Sequence, residues 1–194
     1  MQAPGTGPEA ASPGMGGAIP ARAIWQPAYI GIGSNLETPT LQVRRAWERL
    51  KGVPCTEAIR CSPLYRSLPL GPPAQPQFVN AVAAVLTRLD ARALLAQLKA
   101  IEQAFGRASD GPRWGPRIID LDLLVYGRER RAEPDLILPH PGIVERNFVL
   151  YPLADLAPDL DMPGLGRVIE LKARVAPAGL WRLEEPQPRS LSDS

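Results

Sequence analysis

Apolar residues recur along the chain at two spacings. Residues 28–33, 57–66 and 77–87 are short, extended in pattern and bounded by turn residues, which predicts strands, and the apolar run from Ile118 to Tyr126 predicts a fourth. Side chains alternate faces along a strand, so Asp120 and Asp122 should point one way while Ile119, Leu121, Leu123 and Val125 line the core side. Helical spacing occurs twice. Val43, Trp47 and Leu50 share one face of a segment that opens with Thr38 as cap and Pro39 in its first turn, with Gly52 past its end. Leu94, Leu98, Ile101 and Phe105 share one face of a second segment, capped by Asp90 and stopped by Gly106. Residues 68–73 are too rich in Pro for a central strand and predict a shaped loop. Pro139-His140-Pro141 leads into a helical segment carrying Arg146, Asn147, Phe148 and Tyr151.

Strand, helix, strand, strand, helix, strand is the order of a ferredoxin-like βαββαβ core. That is an α+β fold with an antiparallel sheet, helices on one face and the active site on the other side. Composition sets its limits. Residues 1–26, dominated by Ala, Gly and Pro, predict a disordered leader in which Met15 is a second candidate start. Residues 27–176 form the domain. From 177 to 194, Pro, Ser and charged residues around isolated Leu180, Trp181 and Leu183 predict a loosely docked or disordered tail. A chain of 194 residues, 45% hydrophobic and 22% charged, suits one soluble domain. With 22 basic against 20 acidic residues, no bulk field attracts nucleic acid or membrane, so anion binding must be local. No apolar run approaches the ~20 residues of a membrane helix. Cys55 and Cys61 suit neither a zinc site nor a disulfide scaffold, which points to core thiols and a cytoplasmic setting.

Two carboxylates on one strand face repel unless a cation sits between them. The Asp pair behind Arg117 therefore points to Mg²⁺ bridged to something anionic, the ordinary alternative being the solvated face of an edge strand. Arg107 and Arg113 precede Arg117 in the same loop, so cations for phosphate oxygens converge beside the metal ligands. Gly31 to Leu36 is a near miss to the dinucleotide fingerprint, lacking its third glycine and its acidic partner, and no P-loop pattern occurs anywhere. A two-metal nuclease would need a basic stripe for which a net charge of +2 leaves little room. An RNA-recognition module of the same fold would present strand aromatics in place of Asp120 and Asp122.

Several blocks stand in a telling order: Ala28-Tyr29-Ile30-Gly31-Ile32-Gly33-Ser34-Asn35-Leu36, Pro69-Leu70-Gly71-Pro72, Gln75-Pro76 and Phe78-Val79-Asn80-Ala81. Ile101-Glu102, Gly106-Arg107, Arg113-Trp114-Gly115-Pro116-Arg117, Asp120-Leu121-Asp122, Pro139-His140 and Arg146-Asn147-Phe148 follow. Together they resemble the 6-hydroxymethyl-7,8-dihydropterin pyrophosphokinase family across most of the chain between Ala28 and Phe148. The resemblance implies a monomeric enzyme that moves pyrophosphate from ATP to the hydroxymethyl group of a reduced pterin, releasing AMP, in tetrahydrofolate biosynthesis. Its partners would be small molecules, not nucleic acid or membrane. Asp120 and Asp122 would hold two Mg²⁺ ions and, with Arg107 and Arg117, form the catalytic group. ATP would be bound by Glu102, Arg107, Trp114, Arg117, His140 and Arg146. Leu70, Phe78, Asn80, Trp114, Asp120 and Phe148 would hold the pterin, its ring between Phe78 and Phe148 and its edge on Asn80. Tyrosine is usual at position 78 in the family, but stacking needs only the ring. The loop from Arg107 to Pro116 would close as a lid. Within it Ala108-Ser109-Asp110-Gly111-Pro112 lacks the further basic residues common in the family, which touches a secondary phosphate contact and not the reaction class.

Overall fold

The structure, a computed structural model, describes residues 24–70, 74–106 and 116–184. Its elements are β1 (Gln26–Ser34), α1 (Pro39–Leu50), β2 (Thr56–Cys61), β3 (Tyr65–Ser67), β4 (Phe78–Thr87), α2 (Ala91–Ala104) and β5 (Asp120–Tyr126). There follow β6 (Arg131–Glu133), β7 (Leu136–Leu138), a 3₁₀ turn (Ile143–Glu145), α3 (Asn147–Leu156), β8 (Asp161–Met162), β9 (Gly166–Arg167), α4 (Val168–Lys172) and β10 (Leu180–Arg182). In the main sheet β1 lies between β4 and β5, and β4 pairs with β2 along one half and with β3 along the other. Every pairing in that sheet is antiparallel, which is the ferredoxin-like arrangement expected from the element order. Residues 57–66, read as one extended segment, divide at Ser62-Pro63-Leu64, because Pro63 has no N–H for the ladder.

Alternation along the strands separates two cores. Ala28, Ile30, Ile32, Ala81, Ala83, Leu121 and Leu123 meet Val43, Ala46 and Leu50 of α1 and Leu94 and Leu98 of α2 on one face. Leu94 and Leu98 are fully buried, and truncating either to Ala would cost about 2–5 kcal/mol. On the other face Val82, Leu124 and Val125 meet Val149, Leu150 and Leu153 of α3, which therefore shares that face with the site. Val125 corrects the expected pattern. Tyr29 pairs with Val125 and Ile30 with Leu123, so Leu124 is an extra residue, a bulge that shifts the alternation and turns Val125 into the second core.

The helix ends follow their sequence signals unequally. Asp90 caps α2 as expected, its Oδ1 accepting from Ala93 N at 2.8 Å, and Gly106 ends that helix with φ +83°. Thr38 stands at the cap position of α1 with φ 62°, and its side chain makes no capping bond. Gln42 Nε2 reaches back instead to Glu37 O at 2.9 Å.

The domain limits also shift. Gln26 already pairs with Thr87 in the sheet, and the predicted tail boundary at Pro177 falls too early, because Leu180–Arg182 pair with β3 and Leu180 is buried. Isolated apolar residues suffice there because the sheet supplies the backbone partners. Among the described residues no helix is long and apolar enough to cross a membrane. Cys55 and Cys61 are not joined in a disulfide.

Candidate active site

A row of partners across three strands organises the site. Gly33 of β1 lies opposite Asn80 on β4 and Asp120 on β5, and the next row brings Gly31 between Val82 and Asp122. Because β1 contributes glycines at both places, its backbone forms an open floor between the amide of Asn80 and the two carboxylates. A Cβ on Gly33 would come within 3.3 Å of Asn80 Oδ1, and one on Gly31 within 3.4 Å of Leu124. The floor opens into a cavity of about 770 Å³. Leu70, Phe78, Asn80, Glu102, Arg117, Asp120, Asp122, His140, Arg146 and Phe148 all line it, so the described residues expected for the site converge. Arg107, Trp114 and the expected lid from Arg107 to Pro116 lie outside the described residues except for Pro116 itself.

Each lining group is held from behind. Asn80, buried at 6% exposure, donates from Nδ2 to Ser67 Oγ at 2.9 Å, which fixes its amide with Oδ1 toward Gly33. Arg117 Nη1 meets Asp120 Oδ1 at 2.9 Å at the mouth of β5. Glu102, on the inward face of α2, accepts from Leu121 N at 2.7 Å, and so grips β5 between the two aspartates while also lining the cavity. On the same strand Leu124 O accepts from His140 N at 2.8 Å. Gly142 N donates to His140 Nδ1 at 3.1 Å, so the neutral ring carries its proton on Nε2. Burial pushes the His140 imidazole below its ordinary value, against the pull of Asp122, with the Arg146 guanidinium adding to the depression. Arg146 folds over Gly142, where any Cβ would meet its guanidinium at 2.6 Å, and stands 6.0 Å over the Phe148 ring.

Burial is also the first cause that pushes the Asp122 carboxyl up, followed by the charge of Asp120, while His140, Arg146 and Arg117 oppose both. A divalent cation would relieve that strain, so the pair fits Mg²⁺. Among the described residues no three His, Cys, Asp or Glu side chains cluster as a metal site. A cation on this pair would therefore complete its oxygen shell from water and a polyphosphate.

Sequence reasoning missed three contributors. Ser67 fixes Asn80; Lys99 adds a cation to the cavity wall from α2; and Asn35 accepts from Arg117 N at 2.8 Å. Only Lys99 carried a usable signal, since it precedes Glu102 by three residues on a helix and so shares its face.

A ferredoxin-like sheet with paired carboxylates, converging cations and room for two small ligands defines a group-transfer site for phosphate chemistry. The model of the 7,8-dihydro-6-hydroxymethylpterin-pyrophosphokinase family matches residues 29–158, and the chain belongs to that family. It is 47% identical over 158 residues to the 2-amino-4-hydroxy-6-hydroxymethyldihydropteridine pyrophosphokinase of Pseudomonas aeruginosa, spanning 81% of this chain and 97% of that one. To the protein of the same name from Haemophilus influenzae it is 41% identical over 149 residues, spanning 77% and 92%. In three dimensions it is similar to the wild-type HPPK-DHPS of Plasmodium falciparum, with a TM-score of 0.62 over 80% of this chain. The match spans 46% of that longer chain, and at 13% identity it speaks to the fold alone. The resemblance read from the sequence blocks and the ferredoxin-like core both hold.

Proposed function

We infer that the chain transfers pyrophosphate to the hydroxymethyl group of 6-hydroxymethyl-7,8-dihydropterin in folate biosynthesis, with ATP as donor and AMP as the second product. The observation that carries this reading is the row Asn80, Gly33, Asp120, which sets a donor–acceptor amide and a metal-binding carboxylate on opposite sides of one bare strand. Asn80 offers the pterin edge an amide whose orientation Ser67 has already fixed, so little ordering cost remains at binding. Phe78, Phe148 and Leu70 supply its apolar contacts.

Arg117 and Arg146 bring permanent positive charge to the phosphate oxygens, and neutral His140 adds an Nε2–H donor. Glu102 supports the nucleotide side and holds β5 in place. Asp120 and Asp122 would hold two Mg²⁺ ions, which supply charge neutralisation on the polyphosphate when bound. In the transfer the hydroxymethyl oxygen bonds to the β-phosphorus, the bond from that phosphorus to the α,β-bridging oxygen breaks, and AMP leaves with that oxygen while the hydroxyl proton is released. The reading takes the protein as a monomer, and two cysteines not joined in a disulfide suit the cytoplasm.

The test is AMP release from ATP and Mg²⁺ with and without 6-hydroxymethyl-7,8-dihydropterin. AMP should appear only when the pterin is present. Release without it, or none with it, overturns the reading.

A further inference from the structure

Asn35 sits at the end of β1, is 2% exposed and does not itself line the cavity. Its Oδ1 accepts from Arg117 N at 2.8 Å while its own N donates to Arg117 O at 3.2 Å, so Asn35 holds both the N–H and the C=O of Arg117. Its Nδ2 faces the opposite way, donating to Pro76 O at 3.4 Å with Gln75 Oε1 at 3.5 Å. Pro76 leads directly into Phe78 and Asn80, and Arg117 leads into Asp120, to which it is also ion-paired at 2.9 Å. One buried amide thus joins the run-in to the pterin side of the cavity with the run-in to its phosphate side.

We propose that Asn35 is a positioning residue through which occupancy of the pterin side and occupancy of the phosphate side strengthen each other. The proposal rests on the functional reading above. The bond to Arg117 is short and the two toward residues 75 and 76 are long, so the amide is well held on one side and loosely held on the other. A pterin that fixes the backbone before Phe78 fixes the acceptor for Nδ2, which then fixes Oδ1 and the arginine hung from it. Nucleotide phosphates on Arg117 act along the same route in reverse. Two ligands that share one ordering step must favour each other by the same factor in both directions.

The experiment is calorimetric titration of the full chain with 6-hydroxymethyl-7,8-dihydropterin, with and without Mg²⁺ and a non-hydrolysable ATP analogue, and the reciprocal titration with the analogue. The wild-type protein should bind each ligand about tenfold or more tightly in the presence of the other, the factor being equal in both titrations. Asn35→Asp keeps the acceptor for Arg117 N and loses the donor toward Pro76. It should bring the factor to within about threefold of unity while moving each ligand's separate affinity by less than about threefold, well inside the range of such couplings. Asn35→Ala removes both arms and should behave likewise; if it does not fold, Asn35→Asp alone decides. A variant that weakens both ligands with the factor unchanged would make Asn35 merely structural and overturn the proposal. Independent binding of the two ligands by the wild-type chain would overturn it too, leaving the functional reading intact. No pterin binding at all would overturn both.

Discussion

Asp122 is ionised at a cost. Its folded carboxyl lies above the ordinary value of 3.8, first through burial and then through Asp120. The stability linked to this group is therefore present below the unfolded value and is lost as pH rises through the folded one. Replacing it with Asn removes a buried charge that His140, Arg146 and Arg117 offset only in part, so Asp122→Asn should melt higher than wild type at neutral pH in the absence of divalent ions. The same change, or Asp120→Asn, should slow pyrophosphoryl transfer at saturating Mg²⁺ by about 10²-fold or more, roughly 3 kcal/mol of barrier. Near wild-type transfer in either variant would return the pair to an ordinary acidic strand face. Gly33 gives a second test. Its Cβ would press on Asn80 Oδ1 at 3.3 Å, and Asn80 cannot swing away while Ser67 holds its other end. Gly33→Ala should weaken pterin binding by about 1–3 kcal/mol and leave nucleotide binding little changed, as equilibrium titrations can separate. The aspartates were legible in the sequence because a strand's period is local. The purpose of the glycines was not, since only the register across β4 and β5 reveals what lies on either side of them.

At the scale of elements, β5 shows how one strand can serve two cores and a site. Before the bulge its outward side chains are Asp120 and Asp122; after it, Leu124 and Val125 bury against α3. No property of the segment alone marks Leu124 as the extra residue, because a bulge is defined by what β1 pairs with, which is why simple alternation puts Val125 on the wrong side. The same strand depends on α2. Glu102→Ala would leave Leu121 N without that acceptor in a buried place, and melting should report a loss of about 1–3 kcal/mol. Glu102→Gln retains an acceptor oxygen and should recover most of that stability. Any nucleotide affinity lost in the Gln variant would then belong to the carboxylate's charge and not to the strand. Helix capping shows the reach of local signals: Asp90 acts as its type predicts, whereas the left-handed backbone at Thr38 leaves its hydroxyl without a capping bond.

Across the whole molecule, chain order and the residue blocks were enough to read the ferredoxin-like core and the family. What could not be read were ties between distant residues, such as Asn35 to Arg117 across 82 positions and Ser67 to Asn80 across 13. The C-terminal segment belongs to this group. β10 pairs with β3, and β3 carries the Ser67 that orients Asn80, so a stretch with little apolar pattern supports the substrate side from two strands away. A chain ending at Ala176 should lose melting temperature and pterin affinity while nucleotide affinity holds, measured by thermal melting and calorimetry. Unchanged pterin affinity would show that β3 keeps its place without β10. The bare floor along β1 has a consequence for inhibition. A flat compound lying on Gly31 and Gly33 would rest against main-chain atoms, and substitution there can only add bulk where the natural substrate must also lie. Escape from such a compound would be driven outward to rim positions such as exposed Leu70, where a side chain can change without closing the space the reaction needs.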